Sequence, residues 1–317
     1  MQVVVVGSAN ADLVVEVPRR PGAGETLLGG ELSTLPGGKG ANQAAAAARC
    51  GAATGFVGSV GDDGNGAFLR ERLVAAGVDV SGLVSVDAAT GTAIILLTPD
   101  GENSIVVSPG ANHAFDAAAA GRAADVWRGA PVVVLSLEIP HATAFLVARE
   151  AREAGSRVVL NAAPAARIAP EVLRLCDPLI VNEHEALEAL GADGSDPDAD
   201  DYPRLVRRLI AAGARSVVVT LGAEGALVAE SGAGNGLGDE AAVVVEAVPA
   251  YRVTALDTTG AGDAFVGATA AELARGASLG DAVRFATAVS AVAVQRVGAQ
   301  ASYADRAEID AFIAERA

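Results

Sequence analysis

A carboxylate that follows a glycine-rich turn is the most specific chemical signal in the sequence. Residues 257–263 read DTTGAGD, and an apolar stretch of helical period continues over 264–274. A helix that begins at such a turn presents unpaired backbone N–H groups and a partial positive charge, and small residues let a phosphate approach closely. The segment therefore predicts an anion site beside Asp263. An ordinary N-cap role is the commoner explanation of such an aspartate, so the turn alone does not predict catalysis.

A second glycine turn, PGGKGANQ at 36–43, precedes a predicted helix at 44–49. It matches neither a P-loop nor a dinucleotide-binding turn. One interpretation is a strand-to-helix connection with a solvated lysine. The other is a polyol site, in which glycines admit a sugar to the backbone while Lys39 and Asn42 offer hydrogen bonds to its hydroxyls. Asn10 and Asp12, near the end of the first strand, are of the kind that binds vicinal diols, although such residues also form turns.

The segment NEHE at 182–185 follows a predicted strand at 178–181. Ligands of open α/β sheets gather at the carboxyl ends of the strands. Two carboxylates and an amide there are suited to ordering Mg²⁺ and its waters beside phosphates. An ordinary helix start with acidic first-turn residues accounts for the same segment, so both interpretations stay open. The segment GDDGNG at 61–66 lacks the spacing of a calcium loop and predicts a turn between a strand and a helix.

The elements that carry these motifs alternate between strand and helix. Short β-branched runs at 2–7, 131–137, 157–161, 178–181 and 216–221 predict buried strands, each next to a stretch of helical period. This alternation predicts an α/β fold with a doubly wound, mostly parallel sheet flanked by helices.

Two regions break the alternation and predict a small antiparallel sheet. They are 12–17 with 25–35, and 92–98 with 103–108, the latter pair closed by a turn at 99–102. The segments 191–201 and 231–240 have no hydrophobic period, and they are predicted to be solvated loops.

Composition narrows the classes of partner. The formal net charge is −16, which argues against binding to nucleic acid or to an anionic membrane. Aromatic residues make up only 3% of the chain, so stacked aromatic platforms are not expected. No apolar run reaches the roughly 18 residues that a membrane span requires. Cys50 and Cys176 lie far apart and no basic leader is visible, so the expected location is a reducing cytoplasm.

Taken together, the motifs resemble the ribokinase family of sugar kinases, the PfkB group, nearly end to end and in the family's order. The resemblance rests on GSANAD at 7–12, GGKGANQ at 37–43, Leu137-Glu138, NAAP at 161–164, NEHE at 182–185, TLG at 220–222 and DTTGAGD at 257–263. It implies an ATP-dependent sugar kinase formed by a single domain over 1–317. It also implies that segments at about 10–36 and 91–110 form a lid, which covers the sugar and often pairs with a second subunit to give a homodimer.

The resemblance also implies roles for individual residues. Asp263 would be the base that deprotonates the sugar hydroxyl, and the N–H groups of Gly260, Ala261 and Gly262 would hold the transferring phosphoryl group. The implied sugar contacts are Asn10, Asp12, Gly38, Lys39, Asn42, Glu138 and Asp263. The implied nucleotide contacts are Asn182, Thr220, Gly222, Gly225, Gly262 and Thr287, with Glu185 organising Mg²⁺ through water. The implied K⁺ site, mostly of backbone carbonyls, is Asp257, Thr259, Ala293, Arg296, Gly298 and Ser302.

Within the family, GGKGANQ together with Asn10 and Asp12 is similar to the members that phosphorylate the primary 5-hydroxyl of D-ribose to ribose 5-phosphate. The alternatives are a kinase of the same family acting on deoxyribose, another sugar or a nucleoside, and a non-catalytic sugar-binding protein. Two features depart from the family's usual pattern. The segment 231–240 looks longer than the family's usual hairpin there, and the β-branched Thr259 precedes the glycine of the anion site.

Overall fold

A nine-stranded sheet forms the centre of the computed structural model, which describes residues 1–99, 103–231 and 243–316. Its strands are Val3–Val6 (β1), Thr54–Gly61 (β4), Asp79–Val86 (β5), Val132–Leu135 (β8), Arg157–Asn161 (β9), Cys176–Asn182 (β10), Ser216–Thr220 (β11), Ala226–Glu230 (β12) and Glu246–Val248 (β13). They lie in the order β13-β12-β11-β10-β9-β8-β1-β4-β5. Pairing is parallel from β5 to β11 and antiparallel at β12 and β13. The predicted fold class is confirmed.

Helices cover both faces of this sheet, as the valine-rich strands require, because a strand buried on both sides is apolar throughout. The helices are Lys39–Arg49 (α1), Gly64–Ala75 (α2), Ala117–Arg122 (α3), Ala124–Trp127 (α4), His141–Glu153 (α5), Pro170–Leu173 (α6), Glu183–Ala189 (α7), Tyr202–Ala211 (α8), Ala261–Ala274 (α9), Leu279–Ala293 (α10) and Arg306–Ala314 (α11). One core contains side chains of α1, α2 and α9 to α11, and the other contains those of α3 to α8. Among the described residues, no helix is both long and apolar enough for a membrane span.

The contact between α1 and α9 brings the two glycine motifs together. Small residues line it, and a Cβ at Gly267 of α9 would lie only 2.7 Å from the Cβ of Ala46 in α1. Both helices begin earlier than their apolar stretches, so the motif residues occupy the first turns. The first turns of α1 and α9 therefore face each other across a short distance.

A separate four-stranded sheet, called here the lid sheet, consists of Leu32–Gly37 (β3), Asn10–Glu16 (β2), Thr92–Leu97 (β6) and Asn103–Ser108 (β7), in that order. Each predicted antiparallel pair forms, and parallel pairing of β2 with β6 joins them. The strand expected from 25 begins only at Leu32, after Gly29 and Gly30, which weaken a strand because they have no side chain to pack. The predicted turn at 99–102 falls mostly on 100–102, outside the described residues.

The structure treats the predicted turn at 61–66 and the predicted loops at 191–201 and 231–240 differently. At 61–66, Asp63 is the N-cap of α2 and accepts from Gly66 N and Thr90 N at 2.8 Å each, which confirms a turn. Residues 191–201 contain no helix or strand, but they are not simply solvated, because Arg208 bonds to Asp196 at 2.8 Å and to Asp198 at 3.1 Å. The predicted loop at 231–240 lies, apart from its first residue, outside the described residues.

Candidate active site

The glycine motif at 36–43 folds tightly against the residues that follow β1. Gly38 has φ of +86°, and a Cβ there would lie 2.8 Å from both Ala9 Cα and Asn10 N. Only glycine combines this left-handed conformation with such close backbone contact. Ala41 N donates to Ser8 O at 2.8 Å and holds the first turn of α1 in place. The motif is therefore more than a simple connection, because it fixes Lys39 and Asn42 beside Asn10 and Asp12.

Asp263 lies in the first turn of α9 but does not cap the helix. Gly260 is the N-cap, with φ of +73°, so the N-cap interpretation of Asp263 is wrong. Asp263 Oδ2 accepts from Asn42 Nδ2 and its Oδ1 accepts from Gln43 Nε2, each at 3.0 Å. Only 8% of Asp263 is exposed. Amide donors thus fix both carboxylate oxygens within a group of polar side chains that includes Asp12, Lys39 and Glu138, called here the sugar-side pocket.

Burial and charge perturb the titrating groups of this pocket. Burial raises the pKa of Asp263, although Lys39 and the two amides oppose that shift. Burial, then the charges of Glu138 and Asp263, raises the pKa of Asp12 to about 7. Burial alone lowers the pKa of Lys39, but the surrounding carboxylates, first Asp263, outweigh burial and raise it. The Lys39 ammonium group therefore interacts with several carboxylates. Perturbed pKa values of this kind are common at functional sites.

The remaining predicted sugar contacts line the same pocket. Glu138 Oε2 accepts from the Ser8 hydroxyl at 2.6 Å and from Lys39 N at 3.0 Å. Asn10 Oδ1 accepts from Asn112 Nδ2 at 2.7 Å. The pocket therefore combines hydrogen-bond acceptors and donors at close range, which suits a polyol.

A cavity of about 690 Å³ opens beside the first turn of α9. Five of the predicted nucleotide contacts line it, namely Thr220, Gly222, Gly225, Gly262 and Thr287. Asn182 is paired with Thr220 at the ends of β10 and β11. Apolar residues also line it, including Tyr251, Val253, Phe265, Ala291 and Val294. A lining that combines backbone of glycines with apolar side chains suits a nucleotide.

The turn at 260–262 joins the cavity to the sugar-side pocket. A Cβ at Gly262 would have no neighbouring atom within 4 Å, so the backbone there is open to a ligand. The N–H of Ala261 donates to Thr258 O at 3.2 Å. The carbonyl of Gly260 accepts from the Tyr303 hydroxyl at 3.0 Å and from Ala264 N at 2.8 Å. These contacts define the turn before any anion binds.

At the end of β10, Asn182 and Glu185 form a capping box. Asn182 Oδ1 accepts from Glu185 N, and Glu185 Oε2 accepts from Asn182 N, both at 2.8 Å. The helix-start interpretation is confirmed. Burial raises the pKa of Glu185, against the opposing effects of the Asn182 N–H and of Lys39. The capping bonds engage only Oε2 of this carboxylate, so its position fits a role in ordering the waters of a magnesium ion.

The predicted monovalent-cation residues fall on two segments that meet. Asp257 accepts from Thr259 N at 2.9 Å and from Gly298 N at 2.7 Å. Burial opposes ionisation of Asp257, but these N–H bonds prevail and lower its pKa. Ala293 O accepts from Arg296 N at 3.1 Å, the Arg296 side chain pairs with Glu308, and the Ser302 hydroxyl donates to Ala299 O at 2.7 Å. The two segments that would hold a monovalent cation are therefore joined by the Asp257 carboxylate.

Residues 1–306 match the family described as "pfkB family carbohydrate kinase". This chain belongs to the pfkB family of carbohydrate kinases. It is an ATP-dependent sugar kinase, as its motifs predict.

Curated relatives and a solved structure match this kinase over nearly its full length. Ribokinase of Mus musculus is 38% identical, over 95% of this chain and 91% of its own. Ribokinase of Schizosaccharomyces pombe is 34% identical, over 98% and 97%. The structure of Arabidopsis thaliana ribokinase complexed with ribose and ATP superposes with a TM-score of 0.85 and 34% identity, over 98% of each chain.

Several residues of the kinase's site carry no role in the sequence-based prediction. Gln43 bridges Asp263 and Asn161, and its position inside the GGKGANQ motif is the only signal of this. Asn112 accepts from Ala9 N and donates to Asn10. Gln300 and Tyr303 reach the site from the C-terminal segment. These contacts join residues far apart in sequence, so no local pattern indicates them.

Proposed function

We propose that this kinase transfers the γ-phosphoryl group of ATP to the primary 5-hydroxyl of D-ribose, giving ribose 5-phosphate and ADP. One observation carries the proposal. The buried Asp263 carboxylate stands between a pocket of sugar-type hydrogen-bonding groups and the open backbone of Gly262 at the end of a nucleotide-sized cavity. The ribokinases among its relatives support ribose as the acceptor.

In this proposal, each part of the site supplies one component of phosphoryl transfer. Asp263 accepts the proton of the attacking hydroxyl, and its raised pKa suits a general base. The Gly262 N–H, at the open end of the turn 260–262, and the Lys39 ammonium offset the charge of the transferring group, whereas the Ala261 N–H already donates to Thr258 O. Phosphoryl transfer depends mainly on such alignment and neutralisation. Glu185 would hold Mg²⁺ through water, and that ion would offset phosphate charge.

A sugar panel tests the proposal. ADP release is measured with D-ribose, 2-deoxyribose, fructose and a ribonucleoside at equal concentrations. The highest kcat/KM is expected with D-ribose. A higher value with another acceptor would replace ribose by that acceptor, and sugar binding without ADP release would indicate a non-catalytic binding protein.

Asp12→Asn is expected to raise the KM for ribose and to remove its dependence on pH. Ionised Asp12 accepts hydrogen bonds from hydroxyls, and with a pKa of about 7 it loses charge as the pH falls through 7. The wild-type KM should therefore rise up to about tenfold from pH 8 to pH 6. Steady-state kinetics at both pH values measure this, with Asp125→Asn, at an exposed position of α4, as the control. An unchanged pH profile in the Asp12 variant would place the sugar elsewhere.

Potassium is expected to activate the kinase without taking part in the chemistry. A cation held by the segments near Asp257 and Gly298 would fix the peptides next to 260–262 and so preorganise their N–H groups. Replacing potassium chloride by a bulky organic cation at equal ionic strength should lower kcat/KM several-fold, and millimolar potassium should restore it. Magnesium alone should not. Rates indifferent to the exchange would remove the cation site from the proposal.

The proposal includes a homodimer formed through the lid sheet. Exposed apolar side chains lie on both faces of this sheet, with Leu32, Ile94 and Val106 on one face and Leu35, Ile105 and Val107 on the other. Clusters of exposed apolar side chains are typical of surfaces that bind another protein. Light scattering is expected to give the mass of a dimer for the wild type and of a monomer for Ile105→Glu, with exposed Val74→Glu as the control. A monomeric wild type would contradict the dimer.

A cytoplasmic location is also part of the proposal. Both cysteines, Cys50 and Cys176, are buried free thiols, which is compatible with a reducing compartment.

A further inference from the structure

The C-terminal segment reaches both halves of the active site through side chains that have no assigned role. Residues Gln300–Ser302 form a short 3₁₀ turn, which Tyr303 follows. The Tyr303 hydroxyl donates to the carbonyl of Gly260 at 3.0 Å. Gln300 Nε2 donates to Asn42 Oδ1 at 3.0 Å. The turn therefore touches the phosphate side and the sugar side within four consecutive residues.

On the phosphate side, Tyr303 fixes a peptide plane. The Gly260 carbonyl belongs to the same planar unit as the Ala261 N–H, which donates to Thr258 O at 3.2 Å, so holding the oxygen fixes the turn that leads to the Gly262 N–H. The packing around this contact is tight, because a Cβ at Gly260 would lie 2.6 Å from Ala299 Cβ and 2.7 Å from the Tyr303 hydroxyl. Burial, with the charge of Asp263, raises the pKa of Tyr303 well above its usual value. The hydroxyl therefore remains a neutral donor.

On the sugar side, Gln300 fixes an amide. Because its Nε2 donates to Asn42 Oδ1, the Asn42 amide must turn its nitrogen towards Asp263. That nitrogen donates to Asp263 Oδ2 at 3.0 Å. Gln300 thus acts on the carboxylate through one intermediate residue. Neither Gln300 nor Tyr303 lines the nucleotide cavity.

We propose that the turn is a positioning element, in which Gln300 orients the base through Asn42 while Tyr303, through the Gly260 carbonyl, fixes the turn that leads to the phosphoryl-binding N–H of Gly262. A single short segment then sets the separation between acceptor hydroxyl and phosphoryl group. The inference rests on the proposed function, because it takes Asp263 as the base and 260–262 as the phosphoryl donors. It adds two positioning residues to that site.

The two contacts predict different kinetic signatures. Tyr303→Phe removes only the hydroxyl and should lower kcat about three- to tenfold, with the KM for the sugar within about twofold of wild type. Gln300→Met removes the donor at similar volume and frees Asn42, so it should lower kcat and also raise the sugar KM. Matched controls are Tyr202→Phe at the start of α8 and Gln2→Met immediately before β1, where kinetics should not change.

The double variant tests whether the turn acts as one unit. Releasing either contact loosens the shared segment, so the kcat loss of the double variant should be smaller than the product of the single losses. A kcat loss equal to the product of the two single losses would show that the contacts act independently. It would overturn the proposal of a single positioning element. Melting temperatures within a few degrees of the controls separate positioning from unfolding.

Rates are taken relative to wild type on the panel sugar that it phosphorylates best, so a wrong sugar assignment does not alter the test. Wild-type kcat and KM in both single variants would overturn this inference and leave the proposed function standing. A wild type that phosphorylates no sugar would overturn both.

Discussion

Asp263→Asn is expected to lose nearly all turnover while binding the sugar within a few-fold of wild type. An amide cannot accept the hydroxyl proton, and a general base contributes about 10²- to 10⁴-fold, mainly in the transition state. The substitution also places an NH₂ group opposite Asn42 or Gln43, which both donate to the carboxylate in the structure. ADP release measures kcat, and calorimetric titration without nucleotide measures sugar affinity.

The matched control for this variant is Asp305→Asn at the start of α11. Asp305 is an exposed aspartate that does cap its helix, accepting from Glu308 N at 3.0 Å. Asparagine is also a good N-cap, so kcat and stability should stay near wild type there. If Asp263→Asn kept more than about a tenth of the wild-type kcat, the residue would not be the base.

Gly262→Ala is expected to make the kinase as stable as wild type or slightly more stable, yet far less active. Its added methyl group meets no protein atom within 4 Å, and alanine is the better helix former. In the proposed function that open space receives the phosphoryl group, so the methyl group displaces it from the N–H donors. A loss of about 10²-fold in kcat is expected, comparable to loss of one anion-hole donor.

Thermal unfolding and ADP release on the same preparation measure the two effects. Gly121→Ala in α3 provides the control, because its Cβ also meets no atom within 4 Å and it lies on the opposite face of the sheet. That variant should match or exceed wild-type stability at full activity. Full activity in Gly262→Ala would mean that the phosphoryl group does not approach this backbone.

Much of the fold is readable from the sequence, because buried parallel strands have a local signature. The run at 2–7 contains β1, whose valines are fully buried, three other predicted runs contain β8, β9 and β11, and the run at 178–181 lies within the longer β10. The motifs at 36–43 and 257–263 end in helices whose small residues allow close packing. Proximity of Asn42 to Asp263 could therefore be predicted from the combination of motifs, though not from either alone.

The rest depends on tertiary contacts that leave no local pattern. The Gln300–Asn42 bond spans a sequence separation of 258 residues, and an isolated glutamine gives no sign of its partner. Tyr303 reads as an ordinary core aromatic residue, since its burial and its hydroxyl contact arise only after α9 and the C-terminal segment pack together. Parallel pairing of β2 with β6 is likewise set by the crossover between them.

Phosphorus NMR of the product formed from D-ribose and Mg-ATP tests the central claim most directly. The account predicts one sugar phosphate whose phosphorus couples to the two protons on C5, formed in equal amount with ADP and absent from an Asp263→Asn reaction. A phosphate on the anomeric carbon, or ATP left intact beside ribose while another acceptor is phosphorylated, would contradict it.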